Sequence, residues 1–225
     1  MTPNPASYST LVFDCDGVVL DSNKVKTRAF YNAALPYGEA AAQALVDYHV
    51  ANGGISRYRK FEYFLETLVT QHAAGIPGPD LQALLDAYAT SVRHGLLNCA
   101  VTAGLAELRA ATPDARWLIV SGGDQTELRE VFAQRGLAEM FDGGIFGSPD
   151  SKDEILSTQL ADGNIRPRAL FIGDSRYDHV ASAGAGLDFL FVSQWTEFPG
   201  WQSYCQENAL TCIQAIQNLL PGRDH

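Results

Sequence analysis

No window of the 225-residue sequence approaches the ~20 consecutive apolar residues that span a bilayer. The longest apolar runs, such as Trp117–Val120 and Phe189–Val192, are strand-sized. Met1 to Thr10 contains neither a basic stretch nor an apolar core. No secretory signal is read there, and a cytoplasmic protein is expected. Positive charge is scarce: 16 Lys and Arg stand against 26 Asp and Glu, a formal net charge of −10. That balance argues against nucleic acid and anionic membrane as partners bound by bulk electrostatics. A small anion remains possible, but locally placed cations or a metal must hold it. Cysteine is also sparse. Cys15, Cys99, Cys205 and Cys212 form no CxxC and no ligand-like cluster, so free thiols are expected. Repeats and low-complexity segments are absent.

What is present is an ordinary globular composition, 46 % hydrophobic, on a chain long enough to bury a sizeable core without disulfides. Leu11-Val12-Phe13 reads as a buried strand ending abruptly in Asp14-Cys15-Asp16-Gly17. From Ser22 to Leu97 there is almost no strand signal. Phe61, Phe64, Leu65 and Leu68 fall on one helical face. Breakers at Pro36-Tyr37-Gly38, Asn52-Gly53-Gly54 and Gly75 to Pro79 divide this part into three or four helices. After it the pattern alternates. Strands are expected at Trp117–Val120, Ile145-Phe146, Ala169–Ile172 and Phe189–Val192. Helices are expected at Leu105–Ala111, Gln125–Arg135, from Lys152, from Arg176 and from Gln206 to Leu220. Such alternation implies a doubly wound α/β core with a parallel sheet covered on both faces. The expected division is residues 1–21 and 98–225 for the Rossmann-like core, with 22–97 as a helical domain inserted after the first strand.

In such sheets the ligand lies beyond the carboxyl ends of the strands. Asp14 and Asp16 follow the first strand, Ser121-Gly122-Gly123 the second, Lys152 the third and Gly173-Asp174 the fourth, with Asp178 nearby. Residues i and i+2 of an extended segment point the same way, so Asp14 and Asp16 repel unless a cation joins them. On this pair alone, a solvated acidic turn and a cation site are equally open. Asp174 adds a third hard oxygen ligand of the kind Mg²⁺ favours. Ser175-x-x-Asp178 also reads as a capping box, so Asp178 has a purely structural alternative. Ser151-Lys152-Asp153-Glu154 is a second capping box, which puts Lys152 where the helix dipole disfavours a cation. A lysine there calls for a nearby anion, or is a surface lysine whose head reaches water. Ser121 and its glycines suit a phosphate at a helix N-terminus, or a tight turn capped by Asp124.

Taken together, the four elements resemble the haloacid dehalogenase superfamily of phosphohydrolases. They are Asp14-Cys15-Asp16-Gly17, Ser121, Lys152 and Gly173-Asp174-Ser175-Arg176-Tyr177-Asp178. The resemblance extends to its capped members, the phosphoglycolate phosphatases and β-phosphoglucomutase. It implies a Mg²⁺-dependent phosphatase on a small phosphorylated metabolite, with residues 22–97 as the cap. Asp14 would be the nucleophile and Asp16 the general acid and base. Asp14, Asp174, the backbone carbonyl of Asp16 and the neighbouring Asp178 would form the metal set, with Asp178 also able to orient Lys152. Ser121, Gly122 and Lys152 would hold the phosphoryl oxygens. An acid at position 16 argues against a dehalogenase, because a halide needs no proton. A phosphomutase is the alternative, and a non-catalytic binding domain ranks below it.

The cap segment Ser56-Arg57-Tyr58-Arg59-Lys60 concentrates three cations in an acidic chain. Ser56 reads as an N-cap, and its loop is similar to the substrate-contacting loop of capped relatives. Arg57, with Ser56 and Lys26, is therefore expected to select the leaving group, which favours an anionic one. Arg59 and Lys60 read at least as well as an exposed helix start. Tyr58, Phe61, Tyr63 and Phe64 read as the core of the helical segment. Monomer and homodimer are both compatible with the sequence.

Overall fold

The structure, a computed structural model, describes residues 2–220. Strand β1 (Thr10–Phe13) is followed by a purely helical excursion. Its helices are α1 (Asn23–Ala34), α2 (Glu39–Ala51), α3 (Arg57–Tyr63), α4 (Val69–His72) and α5 (Leu81–Asn98). A π-helical turn, Phe64–Leu68, joins α3 to α4. The chain then alternates: α6 (Leu105–Ala111), β2 (Arg116–Asp124), α7 (Gln125–Gln134), β3 (Gly144–Ser148), α8 (Lys152–Ala161), β4 (Ala169–Gly173), α9 (Arg176–Gly184) and β5 (Asp188–Val192). The last described elements are α10 (Trp201–Glu207), β6 (Thr211–Ile213) and a 3-10 turn, Ile216–Leu219.

The strands form one sheet in the order β3-β2-β1-β4-β5-β6, every neighbouring pair parallel. β1 lies in the middle because the chain builds outward on one side through β2 and β3, then crosses back to start β4 on the other. That reversal places the carboxyl ends of β1 and β4 side by side, the position where doubly wound sheets bind ligands.

Alternate residues explain why the strands read as unbroken apolar runs. Leu11, Phe13, Trp117, Ile119, Leu170 and Ile172 face one core, which continues into α7 and the helical excursion. Val12, Leu118, Val120 and Phe171 face the other, against α8 and α9. With both faces covered, no strand position needs a polar side chain.

Two sequence expectations are corrected here. The helix expected from Gln206 to Leu220 stops at Glu207. Ala209 follows with φ +52°, and Thr211–Ile213 pairs with β5 as a sixth strand. A non-glycine residue in the left-handed region ends the helical path, and an unpaired edge at β5 gives Leu210 to Ile213 a ladder to join. Second, Ser121-Gly122-Gly123 is not a turn after β2. The strand runs on to Asp124, with its register against β3 shifted between Val120 and Asp124. Among the described residues, no helix is long and apolar enough to cross a membrane.

Candidate active site

Asp14 leaves β1 as its first polar residue and is almost fully buried. Its Oδ1 accepts from the Cys15 amide at 2.7 Å and lies 3.0 Å from Lys152 Nζ. Lys152 is the first residue of α8, held there by the Ser151–Glu154 capping box. It donates also to Asp178 Oδ1. Asp178 divides its two oxygens: Oδ1 takes Lys152, while Oδ2 accepts from the amides of Asp174 and Ser175 and from the Ser175 hydroxyl. The capping and the functional readings of Asp178 are therefore both realised.

Asp174, at the end of β4, completes the group. Ligand-capable atoms of Asp14, Asp174 and Asp178 lie within 4.8 Å of one another, all buried. Asn23 Nδ2 donates to Asp174 Oδ2 at 2.8 Å, and Thr196 Oγ1 donates to the Asp174 carbonyl at 2.7 Å. Gly17 lets this happen. Its φ is +76°, and a Cβ there would sit 2.1 Å from Asp174 Oδ2. Only glycine combines that backbone with that approach.

Three buried carboxylates face one lysine, so two negative charges lack a partner. Burial pushes the Asp14 carboxyl up to about 7 against the pull of Lys152. Burial, with Asp14 and Asp178 adding repulsion, pushes Asp174 well above the ordinary carboxylate range. Lys152 is driven upward because its two carboxylates outweigh its desolvation. A cluster with two unpaired negative charges and only oxygen donors fits a hard divalent cation.

Asp16 stands apart from this group. Its Oδ2 is 2.5 Å from Lys26 Nζ, and its Oδ1 accepts from Ser22 Oγ at 2.5 Å. Burial alone would raise this carboxyl, but Lys26 and Ser22 prevail and hold it below the usual range. Two acids separated by one residue thus have opposite environments, Asp14 pushed up by burial and Asp16 held down by Lys26 and Ser22.

Asp14, Asp16 and Asp174 open onto a cavity of about 350 Å³ between the sheet and helices α1, α2, α3 and α5. Lys26, Arg57, Gly122, His49 and Lys60 line it too. The helical segment touches the sheet edge closely: a Cβ on Gly122 would lie 2.1 Å from the Gly54 carbonyl. Ser121, fully buried, accepts from the Gly123 amide at 3.0 Å. Ser56 caps α3 through the Arg59 amide. Arg57 is ion-paired to Glu127 at 3.2 Å and to Asp124 at 3.7 Å, both on the sheet side. Tyr58, expected in the helical core, instead reaches across to Asp124 at 2.8 Å, whereas Phe61 and Phe64 are buried as expected. Arg59 is exposed, but Lys60, expected at the surface, is 2 % exposed. Asn23 and His49 are common polar residues that carry no motif of their own, and Asn23 finds its partners, Asp174 and Trp195, only 151 and 172 positions along the chain.

The sequence pattern of the haloacid dehalogenase-like hydrolases matches residues 8–186. The chain belongs to this family. No curated protein shows significant similarity to it. Solved structures do. The chain resembles β-phosphoglucomutase from Clostridium difficile, with 16 % identity and TM-score 0.71 over 95 % of this chain and 94 % of that one. It resembles CbbY from Rhodobacter sphaeroides, solved in complex with phosphate, with 20 % identity and TM-score 0.68 over 94 % and 96 %. A protein from Haemophilus somnus described as a predicted phosphoglycolate phosphatase shares 14 % identity at TM-score 0.71 over 94 % and 96 %. At such identities the likeness is one of fold. For this haloacid dehalogenase-like hydrolase, the site chemistry must be argued from its own residues.

The cluster makes a stability prediction. Lys152→Met leaves Asp14 and Asp178 buried without their cation. Breaking a buried pair in this way costs on the order of 3–5 kcal/mol. Urea denaturation in the absence of divalent ions at pH 8 should show that loss. An unchanged midpoint would mean that Lys152 does not neutralise the cluster.

Proposed function

We propose that this haloacid dehalogenase-like hydrolase is a Mg²⁺-dependent phosphatase of small phosphorylated metabolites. The observation that carries the reading is the three-carboxylate group around Lys152, with Asp16, ion-paired to Lys26, on the same cavity. Asp14, Asp174 and the Asp16 carbonyl, with Asp178 beside them, would hold Mg²⁺, which would supply charge neutralisation to the phosphoryl group. Asp14 attacks phosphorus, the bond to the ester oxygen breaks, and an aspartyl phosphate results. Asp16 gives the leaving oxygen a proton, then withdraws one from the water that cleaves the aspartyl phosphate. Lys152, the Gly122 backbone and Ser121 hold the equatorial oxygens. Ser121 Oγ accepts from Gly123, which leaves its hydrogen free to donate. Phosphoryl transfer needs chiefly positioning and neutralised charge, so this set suffices in kind. Residues 22–97 form the cap, and Arg57, Ser56 and Lys26 belong to its leaving-group side.

The test is phosphate release from p-nitrophenyl phosphate and a panel of sugar and acid phosphates. Release should require Mg²⁺ and fall to background with EDTA. Isomerised sugar phosphate without free phosphate would instead establish a phosphomutase, in which a substrate hydroxyl replaces water. No turnover of any ester would leave a binding domain.

Metal binding should also be visible in stability. The ordinary Asp14 value of 3.8 rises to about 7 in the fold. The metal-free fold therefore binds protons that the unfolded chain does not, and it loses that stability as pH rises through 7. Mg²⁺ held by the cluster would replace those protons. Its increment in Tm should be larger at pH 8 than at pH 6, by differential scanning fluorimetry. An equal increment at both would show that the metal does not compete with protons at this cluster.

A further inference from the structure

Four buried cations serve the site, and three are already matched within the protein. Lys152 has Asp14 and Asp178, Lys26 has Asp16, and Arg57 has Glu127 and Asp124. Lys60 is different. Among the described residues no carboxylate pairs with it, although it is 2 % exposed and lines the cavity. Its one polar contact is His49 Nδ1 at 2.7 Å, and its ammonium lies 5.5 Å from the centre of the Phe30 ring. His49 packs on the same ring at 4.6 Å.

A buried ammonium without an anion is costly, and a protein rarely keeps one unless something else supplies the charge. Burial, with Lys26 adding repulsion, brings Lys60 down to about 7. Burial and both lysines hold His49 well below its ordinary range, so it is neutral. Its Nδ1 then accepts from Lys60, which puts the imidazole proton on Nε2 as a second donor. The cavity thus offers, on its helical side, one lysine without a carboxylate partner, which a bound anion would hold in its charged form, beside one neutral donor.

We propose that Lys60 and His49 form the leaving-group subsite and that it takes a carboxylate, so that the substrates are phosphomonoesters of small hydroxy acids. The charge count favours a carboxylate over a second phosphate. Lys60, once charged, balances one negative charge, and a dianion would add another that Lys26 and Arg57, already paired, do not meet. It also favours an acid over an uncharged sugar, which would leave Lys60 unpaired in the closed site. The volume of about 350 Å³ suits a phosphate with a few carbons. The inference rests on the phosphatase reading above, and it moves the selecting role from Arg57 to Lys60.

The test uses calorimetry on the full-length Asp14→Asn protein with Mg²⁺, so that the ester is not consumed. The probes are 2-phosphoglycolate and its carboxamide, which match in shape and differ in the end charge. The carboxylate should bind about tenfold or more tightly, as expected for a hydrogen-bonded charge pair. Lys60→Met and Lys60→Gln should bring the two affinities together, and Lys60→Arg should restore part of the gap. Equal affinities for the two probes, binding of neither, or a gap that survives Lys60→Met would each overturn the proposal. The comparison on the Lys60 protein needs no variant at this position, so a folding defect in Lys60→Met cannot hide the answer. If wild type releases phosphate from no ester while the affinity gap and its Lys60 dependence hold, the phosphatase reading fails and the carboxylate subsite stands.

Discussion

Asp14→Asn should silence phosphate release, lowering kcat by roughly 10⁴-fold or more, as expected when a covalent nucleophile is removed. The substitution is nearly isosteric. The side-chain oxygen can still accept from the Cys15 amide and from Lys152, the two contacts of Asp14 Oδ1. What disappears is one negative charge and the ability to form an acyl phosphate. Stability should move the other way. Asp14, Asp174 and Asp178 crowd three carboxylates around one lysine, and neutralising one of them relieves repulsion that burial magnifies. The metal-free variant should therefore melt at or above the wild-type temperature at pH 8, while its Mg²⁺ increment shrinks. Phosphate release and thermal melts on the same preparations check both halves. Activity within tenfold of wild type would remove Asp14 as the nucleophile. A lower Tm would mean that the cluster is not repulsive.

The sheet side of this site was legible because each of its residues ends an apolar strand or begins the next helix. Period and punctuation locate Asp14, Asp174 and Lys152, and both capping boxes formed as their spacing predicts. The helical side was less legible, because a lysine-rich helix start looks the same whether it faces water or a cavity. A signal was nonetheless available. Arg57 and Lys60 are three apart, and Phe61 and Phe64 follow on the same side of the helix. The buried face of α3 therefore carries two of its three cations. Lys26 sits the same way on α1, with Ala29, Phe30 and Ala33 on its side. Their partners could not be read. Asp124 and Glu127 satisfy Arg57 across 67 and 70 positions of chain, and only the packed fold brings them together. The terminal strand was missed because three residues carry almost no period, and edge pairing with β5, not propensity, decides them.

Asp16→Asn should separate two kinds of ester. With an alkyl phosphate, whose alkoxide leaves poorly, loss of the proton donor should cost about 10²–10⁴-fold in kcat/KM. With p-nitrophenyl phosphate, whose phenolate leaves unprotonated, the loss in the same step should be much smaller. The structure adds a constraint on how the acid works. Asp16 is held ionised by Lys26 and Ser22, against the push of its burial. An ionised carboxylate is ready as the base for the second step but not as the acid for the first. To act as the acid, Asp16 must first take up a proton from solvent, which its carboxylate can do only once the Lys26 ammonium no longer holds it ionised. Removing the Asp16 charge also leaves Lys26 buried without a carboxylate, so the variant should be less stable. That loss does not touch the test, because both esters are assayed on one preparation and their ratio is independent of the folded fraction. Equal losses on the two esters would show that Asp16 acts by placing Lys26 and not by moving a proton. A large loss confined to the alkyl ester would assign it the acid's role.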